Sequence, residues 1–338
     1  MKQLSLIFAL IISVGISYPI IGQTKSDFKI LTTFHITSAG GWDYLAINGN
    51  KLYVSHGTQV NILDKKTGDS LGVILNTTGV HGIAFNDKKG RGYTSNGRLN
   101  NVTVFDLKTD KPLSQIETGM NPDAILYDAS TNKIITCNGR SKNLTIIDAD
   151  SEKVMDSIAV GGKPETLVSD GAGHWFVNVE DKNEVVQINA KTLKVENHWA
   201  LNPGESPTGL AINLKNKRLF VGCEKLLIVM DATNGKVIDK LTIGDGCDGV
   251  AFDAENKMIL TSNGAEGTMT VIQEKNDGTY KVIENLTTKK GARTIALDEK
   301  THLIYLPTAE FEPVPEDAPK GTRPKMIPST FQVLMVGK

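Results

Sequence analysis

VHGIAFNDKKGRGYTSNG, residues 80–97, holds two short apolar runs with a polar Asn-Asp-Lys-Lys-Gly between them. Neither run is long enough for a helix, and neither repeats at 3.6 residues. The join is turn chemistry, so the stretch reads as two strands of a hairpin. Its closing words return elsewhere. Tyr53–Gly57 spells YVSHG, Ile135–Gly139 spells ITCNG and Leu260–Gly264 spells LTSNG.

Working outward from that hairpin, the chain divides into seven copies of one pattern. The residue at or just before the start of the first apolar run is Asp43, His81, Asp123, Glu165, Thr208, Asp248 or Arg293. The steps between them are 38, 42, 42, 43, 40 and 45 residues. A fixed period near 40 marks a propeller or a solenoid. Each copy carries four strand-like runs. The turns between the third and fourth are rich in Asp, Asn, Thr and Gly, as in LDKKTGD and FDLKTDK. The pattern predicts an all-β fold, a seven-bladed β-propeller with four-stranded blades.

The two ends complete the count. The seventh copy stops at FQVLMVGK, which matches a third strand. Ser26–Thr37 reads as a fourth strand with no blade of its own. It is expected to join the last blade and close the ring, which removes two open sheet edges. Residues 23–338 are therefore expected to form one domain.

The copies resemble the YVTN-repeat, YncE-like group of WD40-like propellers found in bacterial envelopes. YTSN, YVSH, ITCN and LTSN stand where that family has its tetrapeptide. Pro122, Pro164 and Pro207 match its leading proline. The likeness spans about residues 26–338. The fourth, fifth and seventh copies depart from it, with FVNV, FVGC and YLPT. It implies a scaffold and no particular reaction, because function lives in sites carried by a fold.

Composition narrows the function. The chain has 338 residues, 40% hydrophobic and 22% charged, with a formal net charge of −1. Nucleic-acid binders usually show a basic excess that is missing here. Met1-Lys2 followed by an uncharged run from Leu4 to Gly22 reads as a signal peptide over residues 1–22, cleaved near Gly22. Gly15, Ser17 and Pro19 break the run that a membrane anchor would need. The expected product is an exported monomer, periplasmic or extracellular, with no span after cleavage. The three cysteines are too few for a disulfide framework. Cys223 and Cys247 could form one bond on neighbouring blades.

In the repeats, Tyr53, Tyr93, Phe176, Phe220 and Tyr305 are expected to fill the space between blades. Asn96, Asn138 and Asn263 are expected to bond nearby backbone as their strands end, in left-handed geometry before Gly. The positions that differ between copies carry more information. Asp43, His81, Asp123, Glu165, Thr208, Asp248 and Arg293 should ring the mouth of the central channel. Packing requires no charge there. Three readings stand: a solvated rim; a site for a small polar ligand or an envelope or extracellular protein; and a divalent metal held by Asp43, His81 and Asp123 with His56. In the second, Arg293 would grip an anion and the carboxylates would accept from hydroxyls or amines. No cofactor is required.

The seventh copy adds a second candidate. Residues 311–330 form a long insertion with five prolines, where other copies have a few residues. It reads either as a lid over the rim, bringing Glu310, Glu312, Arg323 and Lys325 to the site, or as a brace across blades. The chain contains no nucleophile elbow, P-loop, His-Glu-x-x-His or haem-attachment motif. No catalytic residue is assigned, and a binding scaffold is the leading expectation. The alternative is a propeller hydrolase of the lactonase kind, metal-assisted or not. It would use Asp43, Asp123 or Glu165 as base with His81 and Arg293 assisting. An adhesion module would instead expose apolar surface on the outer strands.

Overall fold

The computed structural model describes residues 27–315, 319, 322 and 324–338. The segment read as a signal peptide, and Arg323, lie outside these residues. Seven four-stranded antiparallel sheets form the ring. In blade one the strands are Trp42–Asn48, Lys51–His56, Gln59–Asp64 and Ser70–Ile74, from the axis outward. The other inner strands are Val80–Asn86, Pro122–Asp128, Pro164–Ser169, Leu210–Asn213, Cys247–Asp253 and Ala296–Asp298. Among the described residues the one helical element is a three-residue 3-10 turn, Glu180–Lys182. None is long and apolar enough to cross a membrane.

The strand Lys29–His35 pairs antiparallel with Gln332–Gly337 and completes the seventh blade. The first and last strands of the ring thus share one sheet, as the unpaired run at the N-terminus predicts.

Seven apolar clusters hold the ring, one in each gap between neighbouring blades. A blade buries one face of its sheet against the next, so every core residue is shared between two copies of the repeat. The repeated aromatic does this work: Tyr53, Tyr93, Phe176, Phe220 and Tyr305 are all buried. Tyr53 of blade one packs at 5.0 Å from the Phe85 ring of blade two, and Phe220 of blade five at 5.1 Å from Phe252 of blade six. Exposed apolar residues on the outer strands, such as Leu71, Leu113, Met155 and Ile238, are spread over four blades.

The repeated Asn works differently from expectation. Asn96, Asn138 and Asn263 are fully buried and lack positive φ. Asn96 accepts from Thr94 two residues before it and donates to Asn101 and Thr103 on the third strand. Asn138 and Asn263 make the same kind of bonds. The amide is a cross-strand staple between side chains: each Asn is the last residue of its strand, and its backbone is already paired with both neighbouring strands.

The Ser before that Asn ties blades together. Ser55 donates to the His81 carbonyl, Ser95 to the Asp123 carbonyl and Ser262 to the Arg293 carbonyl. Each acceptor is the rim residue of the next blade. Asn178 does the same toward Thr208 and Gly209, and Thr208 toward Cys247. Thr294 donates to the Asp43 carbonyl at 2.6 Å and closes the ring from blade seven to blade one. Six of the seven junctions carry such a clasp. At the junction between blades three and four the Ser position holds Cys137, a much weaker donor.

Candidate functional site at the channel mouth

A β-bulge sets the rim. In blade one Trp42 pairs with His56 and Leu45 with Val54, so Asp43 and Tyr44 together face Ser55. The same slip places His81 with Gly82 and Asp123 with Ala124, and leaves Glu165 and Thr166 facing Asn178. Blade six slips at Asp248. A bulge re-aims a side chain and sharpens the local twist. It turns these five rim residues out of the sheet, toward the axis. Gly82 shows how close the blades come there: a Cβ on it would lie 2.9 Å from the Ile125 backbone nitrogen of the next blade.

The side chains then meet across blades. His81 Nδ1 lies 2.5 Å from Asp43 Oδ2 and 3.9 Å from Asp123 Oδ1. Arg293 donates from Nε to Asp248 at 2.8 Å. From Nη2 it donates to the Trp42 carbonyl at 3.0 Å and to Asp43 at 3.3 Å. Asp43 therefore joins an imidazole and a guanidinium. Glu165 is buried and is bonded by Lys163, which also holds Glu180. The Tyr44 hydroxyl lies 3.4 Å from Thr166 Oγ1. Six of the seven expected rim residues thus carry charge toward the mouth. Thr208 turns away and spends its hydroxyl on the Cys247 carbonyl.

Burial and crowding shift these groups. Burial first, then the Asp43 charge, pushes Asp123 up to about 7, against the opposing pull of His81. Burial and the Asp123 charge push Glu165 up to about 8, although Lys163 works the other way. Burial pulls His81 down, but the Asp43 hydrogen bond and the Asp123 and Asp43 charges outweigh it and raise it to about 9. Asp248 is also raised by burial, with Arg293 opposing. Tyr44 is raised by burial and by the carboxylates of Asp123, Asp43, Asp248 and Glu165. Near neutral pH the mouth therefore holds an imidazolium–carboxylate pair beside carboxyls that keep part of their protons.

His56 does not join the rim trio. It is buried, with Nδ1 2.6 Å from Ser38 and Nε2 2.8 Å from the Gly40 carbonyl, and its ring stacks at 3.9 Å on Phe331. Both nitrogens are engaged in pinning the segment that follows the closing strand. Asp43, His81 and Asp123 do offer ligand atoms within 4.8 Å of one another. Yet two atoms sharing one ion at bond lengths of about 2.0–2.2 Å stand roughly 3 Å apart at right angles. The His81–Asp43 contact is shorter, and fits a shared proton.

The Pro-rich insertion starts as a short ribbon. Phe311 bridges Met326, Glu312 N donates to the Lys325 carbonyl and Ile327 N to the Glu310 carbonyl. Phe311 packs 5.9 Å from the Trp42 ring, so the ribbon leans across the junction of blades seven and one. Beside it a cleft of about 1250 Å³ opens between blades six and seven. Asp248 and Arg293 of the rim line it, together with Lys289, Glu310 and Glu312. Glu310 is held by Lys289 and Gln332. Lys325 is exposed and does not line the cleft. The ribbon is thus a brace at its root and a wall of the cleft farther out.

Several residues of the site escape the sequence reading. Tyr44 hides inside the bulge as an ordinary apolar-run residue. Lys163 and Glu180 belong to loops that come together on the mouth face. Cys223 and Cys247 are buried free thiols, as is Cys137, so the bond that the first two could have formed is not made.

No protein-family model matches the chain, and no curated protein does. Among solved structures it is similar to Kuenenia stuttgartiensis hydrazine synthase. The identity is 14%, over 86% of this chain and 96% of that chain, with a TM-score of 0.72. At that identity the likeness concerns the fold, a β-propeller, and carries no chemistry.

Proposed function

We propose that this propeller is an exported binding scaffold of the YVTN type, and that the channel mouth holds a small polar ligand. One observation carries the reading. Rim residues from five blades, Asp43, His81, Asp123, Asp248 and Arg293, converge in a linked cluster that blade packing does not require. Burying unneutralised carboxyls is costly. A solvated rim would spread these charges apart. Here bulges bring them together and keep Asp123 and Glu165 partly protonated.

The test is a screen of polar small molecules by native mass spectrometry and thermal shift, on wild type, Asp43→Asn and His81→Gln. Binding that either substitution weakens supports the site. Binding that ignores both refutes it.

A second reading has its own support. An imidazole held at Nδ1 by one carboxylate, with a second carboxyl of raised pKa 3.9 Å from the same nitrogen, is an acid–base arrangement. A hydrolase of the lactonase kind would use His81 oriented by Asp43, with Asp123 as acid. Turnover of simple lactones that is lost in His81→Gln would favour it over a pure scaffold.

A further inference from the structure

The bonding capacity at the mouth is largely spent, and what remains selects the ligand. Arg293 has committed its Nε and Nη2 to Asp248, Asp43 and the Trp42 carbonyl. Its Nη1 makes no hydrogen bond among the described residues, so one edge of the fork remains for an acceptor. Asp43 holds two cations, Asp248 one, and Glu165 is bonded by Lys163. Among the described residues Asp123 is the one rim acid with no hydrogen bond to its carboxylate, and His81 Nδ1 stands off at 3.9 Å. Five carboxylates, the four of the rim and Glu180, face three cations, Lys163, His81 and Arg293. The imbalance calls for a positive ligand that can donate hydrogen bonds.

The cleft says how large that ligand is. Asp248 and Arg293 belong to both the mouth and the cleft, so the two spaces meet. Phe311, Pro313, Val314 and Pro324 give the cleft an apolar wall. A bare ion would leave about 1250 Å³ untouched.

Resting on the channel-mouth reading, we propose that the ligand is an organic primary amine. Its ammonium donates to Asp123, and an extended, partly apolar remainder lies in the cleft between blades six and seven under the Pro-rich ribbon. Binding displaces protons, because an ammonium replaces the proton that the crowded acids otherwise keep.

Calorimetry with n-hexylamine, 1-hexanol, methylamine and zinc or magnesium chloride tests this, with each titration run in two buffers of different ionisation enthalpy. Hexylammonium is expected to bind with proton release, and hexanol at least roughly tenfold more weakly, the scale of one charge-assisted hydrogen bond. Asp123→Asn should cut hexylammonium affinity by a similar factor and leave the circular dichroism spectrum unchanged. Replacing Phe311 and Val314 of the apolar wall by Ser should weaken hexylammonium and spare methylammonium. Equal binding of hexanol, indifference to Asp123→Asn, or binding of the metal salts alone overturns the proposal. If other polar molecules still bind through Asp43 and His81, the amine assignment falls and the channel-mouth site stands. If nothing binds through them, both fall.

Discussion

Replacing Ser95 by Ala isolates the inter-blade clasp. Ser95 is fully buried. Its hydroxyl accepts from Gly82 N at 2.8 Å inside its own blade and donates to the Asp123 carbonyl of the next. Alanine fits the same space, since only one oxygen is removed. It leaves a buried N–H with no partner and an acceptor short of one bond. Stranding a buried polar group costs about 1–3 kcal/mol, so about 2 kcal/mol is expected here. For a chain of this size each kcal/mol moves the Tm by roughly 2 °C, giving a loss of about 4 °C. Ser95→Cys should cost less, because Cys137 occupies the equivalent place in blade three and sulfur keeps a weak bond. Ser114→Ala, on the exposed outer strand of the same blade, is the control and should stay within about 0.5 kcal/mol. Urea titration with a constant m-value is the assay. A Ser95→Ala protein as stable as the Ser114→Ala control would refute the clasp. Because the acceptor is the backbone of Asp123, Ser95→Ala should also weaken any ligand bound at the mouth.

Other expectations concern the rim, the blades and the thiols. His81 is raised above its usual value, so the stability it lends is fully present below about 6.5 and is lost as the pH rises through about 9. An NMR titration of its ring should show the high midpoint, and Asp43→Asn should bring it down; a midpoint that ignores Asp43 would refute the pairing. Gly92→Ala would place a Cβ 2.1 Å from the Phe105 ring and should destabilise by about 1–3 kcal/mol through overpacking, read as a lower urea midpoint. All three cysteines are free, buried and raised by burial, so a thiol reagent should find none quickly in the native protein and three after denaturation. A single thiol after denaturation under non-reducing conditions would show that two of the three had paired.

The sequence was most informative where one physical demand recurs. Blade packing must be solved seven times, so the aromatic of Tyr53 and Tyr93 and the turn residues repeat and can be aligned by eye. The rim positions were legible for the opposite reason: they vary where everything around them is constant. The clasp was equally legible and was missed. Ser55, Ser95 and Ser262 sit at one position of the repeat, but Ser beside Asn and Gly reads as turn chemistry until its partner in the next blade is known. Which rim groups saturate one another could not be read. That depends on bulges that turn side chains by a fraction of a residue, and on contacts such as Arg293 to Asp43, about 250 positions apart in the chain. His56 and Thr208 illustrate the limit. Each lies at the end or start of a strand as expected, and each is claimed by a neighbour that no spacing reveals.

The closing strand also fixes an orientation. Lys29 pairs with Gly337 and His35 with Gln332, while Thr308, which leads into the Pro-rich ribbon on the mouth face, also pairs with Gln332. Asp27 and Lys338 therefore leave the molecule side by side on the opposite face, where the Lys338 ammonium lies 5.1 Å from the Phe28 ring. A linkage made at the Asp27 or Lys338 position would therefore leave the mouth facing away from the support.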